Sequence, residues 1–378
     1  MDIKEWIKRC RDMRGRIVRR DGGNEYLLAN FTGTAQQKDI EARTPVVQDF
    51  FRVKINVKAF DENEMQKKGK PAVDFSDTRQ VMRALAEEFD MPFWAYSKMP
   101  GSGLVREDGV SLQDYNRVFV YQLKACNLYC PWCYVDDENK NGLQGNGRFF
   151  SVPEITDIFN REREKQPLHM LRLSGGEPTL AIEQWLEILR ELKRRKMENE
   201  VYVQGETNLT TGSFIEHLKT TGQIERDLLE KVGEFRNFGV LCSFKGTDAE
   251  SFRQATGTTG EYAFLEEERW KTFGMLVKAG IDAYPFIYDA NPETLEQFID
   301  NGIARFGEGF GLKTWVVGLK LYGPEKQRLE KLGLDSATYQ QRLDKRFERS
   351  KEIMRRIVRE RFCLDYQSTP RTAVKLRK

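Results

Sequence analysis

A chain of 378 residues with 39% hydrophobic and 31% charged side chains has the make-up of a soluble globular protein, long enough for one large domain with additions or for two ordinary ones. A net charge of +3 argues against binding a polyanion through overall composition, and no apolar run approaches the ~18 residues that cross a bilayer. The start, MDIKEWIKRCRDMRGR, is charged throughout and unlike a signal peptide, so the expected location is cytoplasmic, with no membrane partner.

Residues 1–115 read as a polar, mixed α+β extension without a catalytic motif. MDIKEWIKRCRDMRGRIVRR begins with helical periodicity, and VVQDFFRVKINVKAF (46–60) resembles one or two strands. SDTRQVMRALAEEF predicts a helix with Ser76 or Asp77 as N-cap, and KMPGSGLVREDGVS (98–111) a loop or linker.

From residue 116 to 322 strands and helices alternate. The strands are VFVYQLK, HMLRLSGG, VYVQGETN, FGVLCSFKG, DAYPFIYDA and KTWVVGLKLY. Helices are expected from Pro153, over AIEQWLEILRELKRRK and over ETLEQFIDNGIARF. Repeated strand–helix units imply parallel strands joined by right-handed crossovers, and six units suit a partial (β/α)6 barrel.

Residues 323–378 read as a helical, basic extension. Tyr339, Leu343, Phe347, Met354 and Val358 recur at near-helical spacing, which predicts packing against the body; the last dozen residues read as a loose tail. Residues 345–378 hold 12 Lys/Arg against 4 Asp/Glu, a charge that suits RNA, an acidic partner or a membrane surface, or simply a solvated helix face. No aromatics interleave with the basic residues in a nucleic-acid module, so nucleic acid is not the expected partner.

Three of the six cysteines fall within eight residues, as Cys126-x3-Cys130-x2-Cys133, directly after the first core strand. In a cytoplasmic chain that spacing points to metal or redox chemistry rather than a disulfide framework. Three thiolates hold three irons of a cubane and leave the fourth free to bind another ligand. Zinc remains open on this segment alone: it normally takes four ligands, His169 and His217 form no pair with a nearby cysteine, and Cys242 or Cys363 would have to complete the set.

At the end of the second core strand stands Ser174-Gly175-Gly176-Glu177-Pro178. With both motifs in order, and with the aromatic Trp132 just before the third cysteine, the chain resembles the radical S-adenosylmethionine (SAM) superfamily. The resemblance covers about residues 116–322. It implies a [4Fe–4S] cluster on Cys126, Cys130 and Cys133 whose open iron chelates SAM, with Gly175, Gly176 and Glu177 beside SAM's amino group. Glycine permits the close backbone approach and proline stiffens the exit. Cys10, Cys242 and Cys363 are then ordinary thiols, Cys242 buried in the fourth strand.

Two further segments resemble a narrower branch, the activating enzymes of glycyl-radical enzymes of the pyruvate formate-lyase type. Glu206-Thr207-Asn208 ends strand three where relatives often carry Asp/Glu-Thr-Asn-Gly, with Leu209 here in place of the glycine. Ser243-Phe-Lys245-Gly-Thr-Asp248, followed by Thr256-Gly257, is similar to that branch's Asp-Leu-Lys region. Carried over, Lys245 contacts SAM's carboxylate, and Glu206 and Thr207 border a monovalent-cation site, although Ser243 removes one carboxylate from it. An ordinary strand-end salt bridge is the competing reading for Glu206 and Lys245.

The resemblance implies an oxidoreductase in which a flavodoxin- or ferredoxin-type donor reduces the cluster, SAM is cleaved, and a 5′-deoxyadenosyl radical abstracts hydrogen from a substrate. That substrate is expected to be a partner protein's glycine or a peptide, with a small metabolite or nucleotide as the alternative. A non-catalytic metal-cluster protein that binds nucleic acid through its basic ends is the reading of another class.

Overall fold

The computed structural model describes residues 1–20, 22–41, 46–55, 117–165, 168, 170–366, 369, 371 and 374–376. The helix expected at 76–89, the linker at 98–111 and His169 lie outside them. The chain opens with α1 (Ile3–Ile17), β1 (Val18–Arg19), β2 (Glu25–Leu28), α2 (Ala35–Glu41), β3 (Val46–Gln48) and β4 (Phe51–Ile55). After the break come β5 (Arg117–Gln122), β6 (Arg148–Ser151), α3 (Val152–Arg163), β7 (Met170–Ser174), α4 (Glu183–Arg194), β8 (Tyr202–Thr207), α5 (Gly212–Thr220), α6 (Leu228–Gly233) and β9 (Phe238–Lys245). The remainder is α7 (Ala249–Thr256), α8 (Leu265–Lys278), β10 (Asp282–Tyr288), α9 (Leu295–Phe306), α10 (Gly309–Lys313), β11 (Trp315–Val317), α11 (Gly323–Lys331) and α12 (Ser336–Phe362).

Local chemistry sets the helix starts. Capping boxes open α1 (Asp2 with Glu5) and α3 (Ser151 with Glu154, Pro153 in the first turn), and Asp335 caps α12. No described helix is long and apolar enough to cross a membrane.

Strands β5, β7, β8, β9, β10 and β11 lie side by side in chain order, and every pairing among them is parallel. These are the six expected strands. Residues 46–55 do form two strands, and β4 pairs antiparallel with β5 while β3 pairs antiparallel with β4, so the N-terminal region continues the same sheet. Among the described residues the two edge strands, β11 and β3, do not pair with each other. A separate antiparallel sheet joins β1, β2 and β6.

The strand register sorts side chains onto two faces with opposite character. Phe119, Leu171, Val203, Val240, Cys242 and Phe244 share the apolar face, which the helices cover. Phe119 meets Phe159 of α3 at 5.3 Å, and Phe244 meets Trp270 of α8 at 5.0 Å and Phe298 of α9 at 5.2 Å. Truncating a buried phenylalanine of this kind costs about 3–5 kcal/mol. Arg52, Gln122, Arg172, Ser174, Gln204, Glu206, Ser243 and Lys245 share the opposite face. Most are buried all the same. Burying so many polar and charged groups is expensive, and such exceptions to core patterning mark functional sites.

Both ends of the chain pack against the elements of this core. The Trp6 indole donates to the Thr210 carbonyl at 2.8 Å, and Arg14 grips the Glu183 carboxylate at 2.8 and 2.5 Å, both side chains buried. Removing one partner of such a pair costs about 3–5 kcal/mol. In α12, Leu343, Met354 and Val358 are buried and Tyr339 and Phe347 partly so, as their spacing predicts. Part of the basic charge on α12 is spent locally: Arg356 and Arg361 pair with Glu296 of α9 at 2.6 and 3.0 Å. The loose-tail expectation fails at Arg371, which is buried over the Trp315 ring, 4.2 Å from its centroid, and donates to the Tyr366 carbonyl at 2.6 Å.

Candidate active site

The cysteine loop leaves the C-terminal end of β5 and is pinned at its root. Leu123 N–H donates to Ser174 O at 3.1 Å, Lys124 N–H to Leu27 O at 3.1 Å, and Cys126 N–H to Lys140 O at 2.9 Å. The Lys124 ammonium reaches forward to Glu138 O at 2.5 Å and Asn146 Oδ1 at 2.9 Å. Cys133 N–H folds back on Cys130 O at 3.1 Å, closing a turn over Pro131. Cys126 and Cys130 are buried, Cys133 is partly exposed, and none forms a disulfide.

The three sulfurs lie within electrostatic reach of one another. Burial first, then Cys130 and Cys133, push the Cys126 thiol up. Burial also raises Cys130, and there Lys245, Lys140 and Arg328 pull the other way. Metal ligation requires thiolates, and these cations favour them. Cys242 faces the helices on β9, and Cys363 is exposed at the end of α12. Among the described residues no three His, Cys, Asp or Glu side chains gather around the position of a single ion. A cubane asks for a wider arrangement, because each thiolate ligates a different iron.

The Ser174–Pro178 segment presses directly on this loop. Gly175 and Gly176 have φ of +65° and +51°. A Cβ on Gly175 would stand 2.2 Å from the Gln122 side chain, and one on Gly176 would stand 2.0 Å from Ala125 O and 2.6 Å from Leu123 O. Only glycine fits the second position, where the neighbour is backbone. The next residue completes the contact: Glu177 N–H donates to Ala125 O at 2.6 Å. The Glu177 carboxylate turns inward, accepting from Thr179 N–H at 3.1 Å and Asn208 N–H at 2.6 Å. Pro178 opens a short 3-10 turn capped by Glu177.

Of the strand-three residues, Asn208 comes closest to the cysteines. Its amide donates to Asn127 Oδ1 at 2.8 Å and lies 3.8 Å from Cys126 Sγ. Thr207 Oγ1 accepts from Leu209 N–H at 2.9 Å. Leu209 takes a left-handed backbone at φ +67°, a strain of about 1–2 kcal/mol for a non-glycine residue. Glu206 is ion-paired with Arg172 and accepts from Ser174 Oγ at 2.8 Å, and Tyr134 hydrogen-bonds the same Ser174 at 3.1 Å. The strand-end salt bridge is therefore what the structure contains at Glu206.

Lys245 differs. Its ammonium lies 5.0 Å from the Trp132 ring centroid and 5.5 Å from that of Tyr288, and the two rings stack at 5.7 Å. Ser243 sits one pleat back on the same face. Thr247 and Asp248 are structural: Thr247 hydrogen-bonds Thr294 at 2.8 Å, and Asp248 caps α7 and accepts from Asn291 and Thr294 at 2.9 and 2.6 Å.

Sequence reasoning missed Arg52, Gln122, Gln204, Tyr134 and Arg328. Arg52 Nε, both amide atoms of Gln122 and Oε1 of Gln204 are buried with no hydrogen-bond partner among the described residues. The signal for Arg52 was a charge inside the apolar run Phe50–Ile55. Arg328 of α11 reaches the cysteine loop from a segment with no motif at all.

Residues 121–301 match a protein-family model described as the Radical SAM superfamily. That superfamily uses a [4Fe–4S] cluster and S-adenosylmethionine. No curated protein matches the chain.

Proposed function

We propose that this chain, whose residues 121–301 form a radical SAM superfamily domain, is an oxidoreductase that holds a [4Fe–4S] cluster on Cys126, Cys130 and Cys133 and cleaves SAM reductively. We divide it into an N-terminal extension (1–115), a partial (β/α)6 barrel core (116–322) and a C-terminal helical extension (323–378). The single observation that carries this reading is the contact of Gly176 and Glu177 with the carbonyls of Leu123 and Ala125, which makes the cysteine loop and the Gly-Gly-Glu-Pro turn one unit.

The donors suit the cofactors. Three thiols are soft ligands for iron, and the cations near Cys130 favour their ionised form. Cys126, Cys130 and Cys133 would hold the cluster, which would supply the one-electron reduction of SAM's sulfonium, drawing on a flavodoxin- or ferredoxin-type donor, and so the 5′-deoxyadenosyl radical chemistry that abstracts hydrogen from a substrate. Lys245 would hold SAM's carboxylate, a role that its position over Trp132 and Tyr288 supports. Gly175 and Gly176 would offer backbone to SAM's ammonium group, and Glu177 braces that backbone through Thr179 and Asn208. Arg172, by occupying Glu206, leaves the proposed cation site without its remaining carboxylate.

The first substrate class is a protein glycine or peptide, supported by the likeness of residues 243–257 to the activating enzymes. A second reading, a small polar metabolite or nucleotide, is favoured by the unsatisfied polar atoms of Arg52, Gln122 and Gln204 on the polar face. Anaerobic reconstitution with SAM and dithionite tests the chemistry: 5′-deoxyadenosine and methionine are expected, and their absence from a cluster-loaded protein overturns it. A glycyl EPR doublet on an added partner separates the peptide reading from deuterium transfer out of a labelled small molecule.

A further inference from the structure

Arg328 lies on α11, beyond residues 121–301 and 195 positions along the chain from Cys133. Its guanidinium donates to three carbonyls of the cysteine segment: Pro131 O at 2.9 Å, Cys133 O at 2.8 Å and Val135 O at 3.0 Å. It also pairs with the Asp137 carboxylate, Nε at 3.1 Å and Nη2 at 3.0 Å. The side chain is 12% exposed. Loop carbonyls outside any strand need partners, and a planar fork of five donors meets several of them in a fixed geometry that an ammonium cannot reproduce. The adjoining Asp136 accepts from the backbone N–H groups of Ala35 and Gln36 at 3.0 and 3.1 Å, so the segment just after the cysteines is held from both ends of the chain.

We propose that Arg328 is a positioning residue that clasps the C-terminal extension onto the cysteine loop, retaining the cluster and, through its positive charge, raising the cluster's reduction potential. This rests on the cluster reading above. Reduction adds one negative charge to the cluster, and a fixed cation nearby favours the reduced state. The coupling is reciprocal: a bound cluster orders the loop, and the ordered loop holds α11.

The test compares the full-length, anaerobically reconstituted wild type with Arg328→Gln and Arg328→Lys. Both variants should lose iron to a chelator about tenfold faster, the effect of removing a group that orients metal ligands. The midpoint potential should fall in Arg328→Gln, by about 59 mV if the one-electron equilibrium shifts tenfold, and stay near wild type in Arg328→Lys, which keeps the charge. Should Arg328→Gln fail to fold, hydrogen exchange on the wild type decides instead: residues 323–331 should gain protection when the cluster is loaded. Wild-type iron retention in either variant, an unmoved potential in Arg328→Gln, or unchanged protection in that segment overturns the proposal. A wild type that takes up no cubane refutes the cluster reading itself, a result distinct from all of these.

Discussion

Replacing Gly176 with alanine probes the contact on which the site depends. A non-glycine residue at φ +51° carries about 1–2 kcal/mol of strain. The added Cβ would stand 2.0 Å from Ala125 O, so that carbonyl must move, and the Glu177 N–H bond to it is lost, about 0.5–1.5 kcal/mol more. The sum is about 1.5–3.5 kcal/mol. At about 2.1 cal/mol/K per residue the 378-residue chain unfolds with about 0.8 kcal/mol/K, which converts that loss into a Tm drop of about 2–4 °C. Gly145 is the control: its φ is +42°, and a Cβ there meets nothing within 4 Å. Gly145→Ala should therefore show the backbone strain alone and keep its iron. Gly176→Ala should fall further in Tm and retain iron about tenfold less tightly, because Ala125 is bonded to Cys126. Anaerobic thermal unfolding and iron analysis read both. Equal behaviour of the two variants would refute the claim that close approach, rather than backbone freedom, is what Gly176 provides.

Glu206→Gln leaves Arg172 without its counter-charge in a mostly buried setting, and urea denaturation should show a loss of about 3 kcal/mol; a neutral result denies that the pair is structural. Lys245→Met should weaken SAM binding at least tenfold in equilibrium dialysis, with cluster content unchanged, as removing a charge-assisted hydrogen bond does. At Asp248 burial raises the carboxyl pKa, but hydrogen bonds from Thr294, Ser251 and Asn291 outweigh it and hold it below 3.8. A depressed folded-state value makes this group stabilising above pH 3.8 and not below its folded pKa. The stability gap between wild type and Asp248→Asn should therefore be full at neutral pH and close as acid protonates the group; a gap independent of pH removes Asp248 from the account.

The six core strands were legible because each is a short apolar run followed by a helical pattern. Even α12, from Ser336 to Phe362, falls within the extension read as helical, since Asp335 supplies the cap and apolar residues recur at helical spacing. The cysteine triplet and the Gly-Gly-Glu-Pro segment were visible as motifs; their mutual contact was not, because it depends on β5 and β7 lying side by side. The antiparallel addition of β4 and β3 to that edge was equally hidden, as a short strand carries no mark of its partner. Glu206 shows the limit most clearly. Strand position allowed a ligand or a salt bridge, and the decision came from Arg172, whose place on the same face follows only from the register. Arg328 was invisible for the opposite reason: it sits on a charged helix among many arginines, and only tertiary structure brings it to the cysteines.

In the proposed site three cysteines leave one iron of a cubane open to SAM, and ENDOR spectroscopy of the reduced protein with SAM labelled at its amino nitrogen and carboxylate oxygen tests that coordination. Hyperfine coupling of both labels to the cluster is the predicted result, lost when Cys130 is replaced by alanine. A cubane whose spectrum is indifferent to labelled SAM, or a colourless protein carrying zinc, contradicts the account.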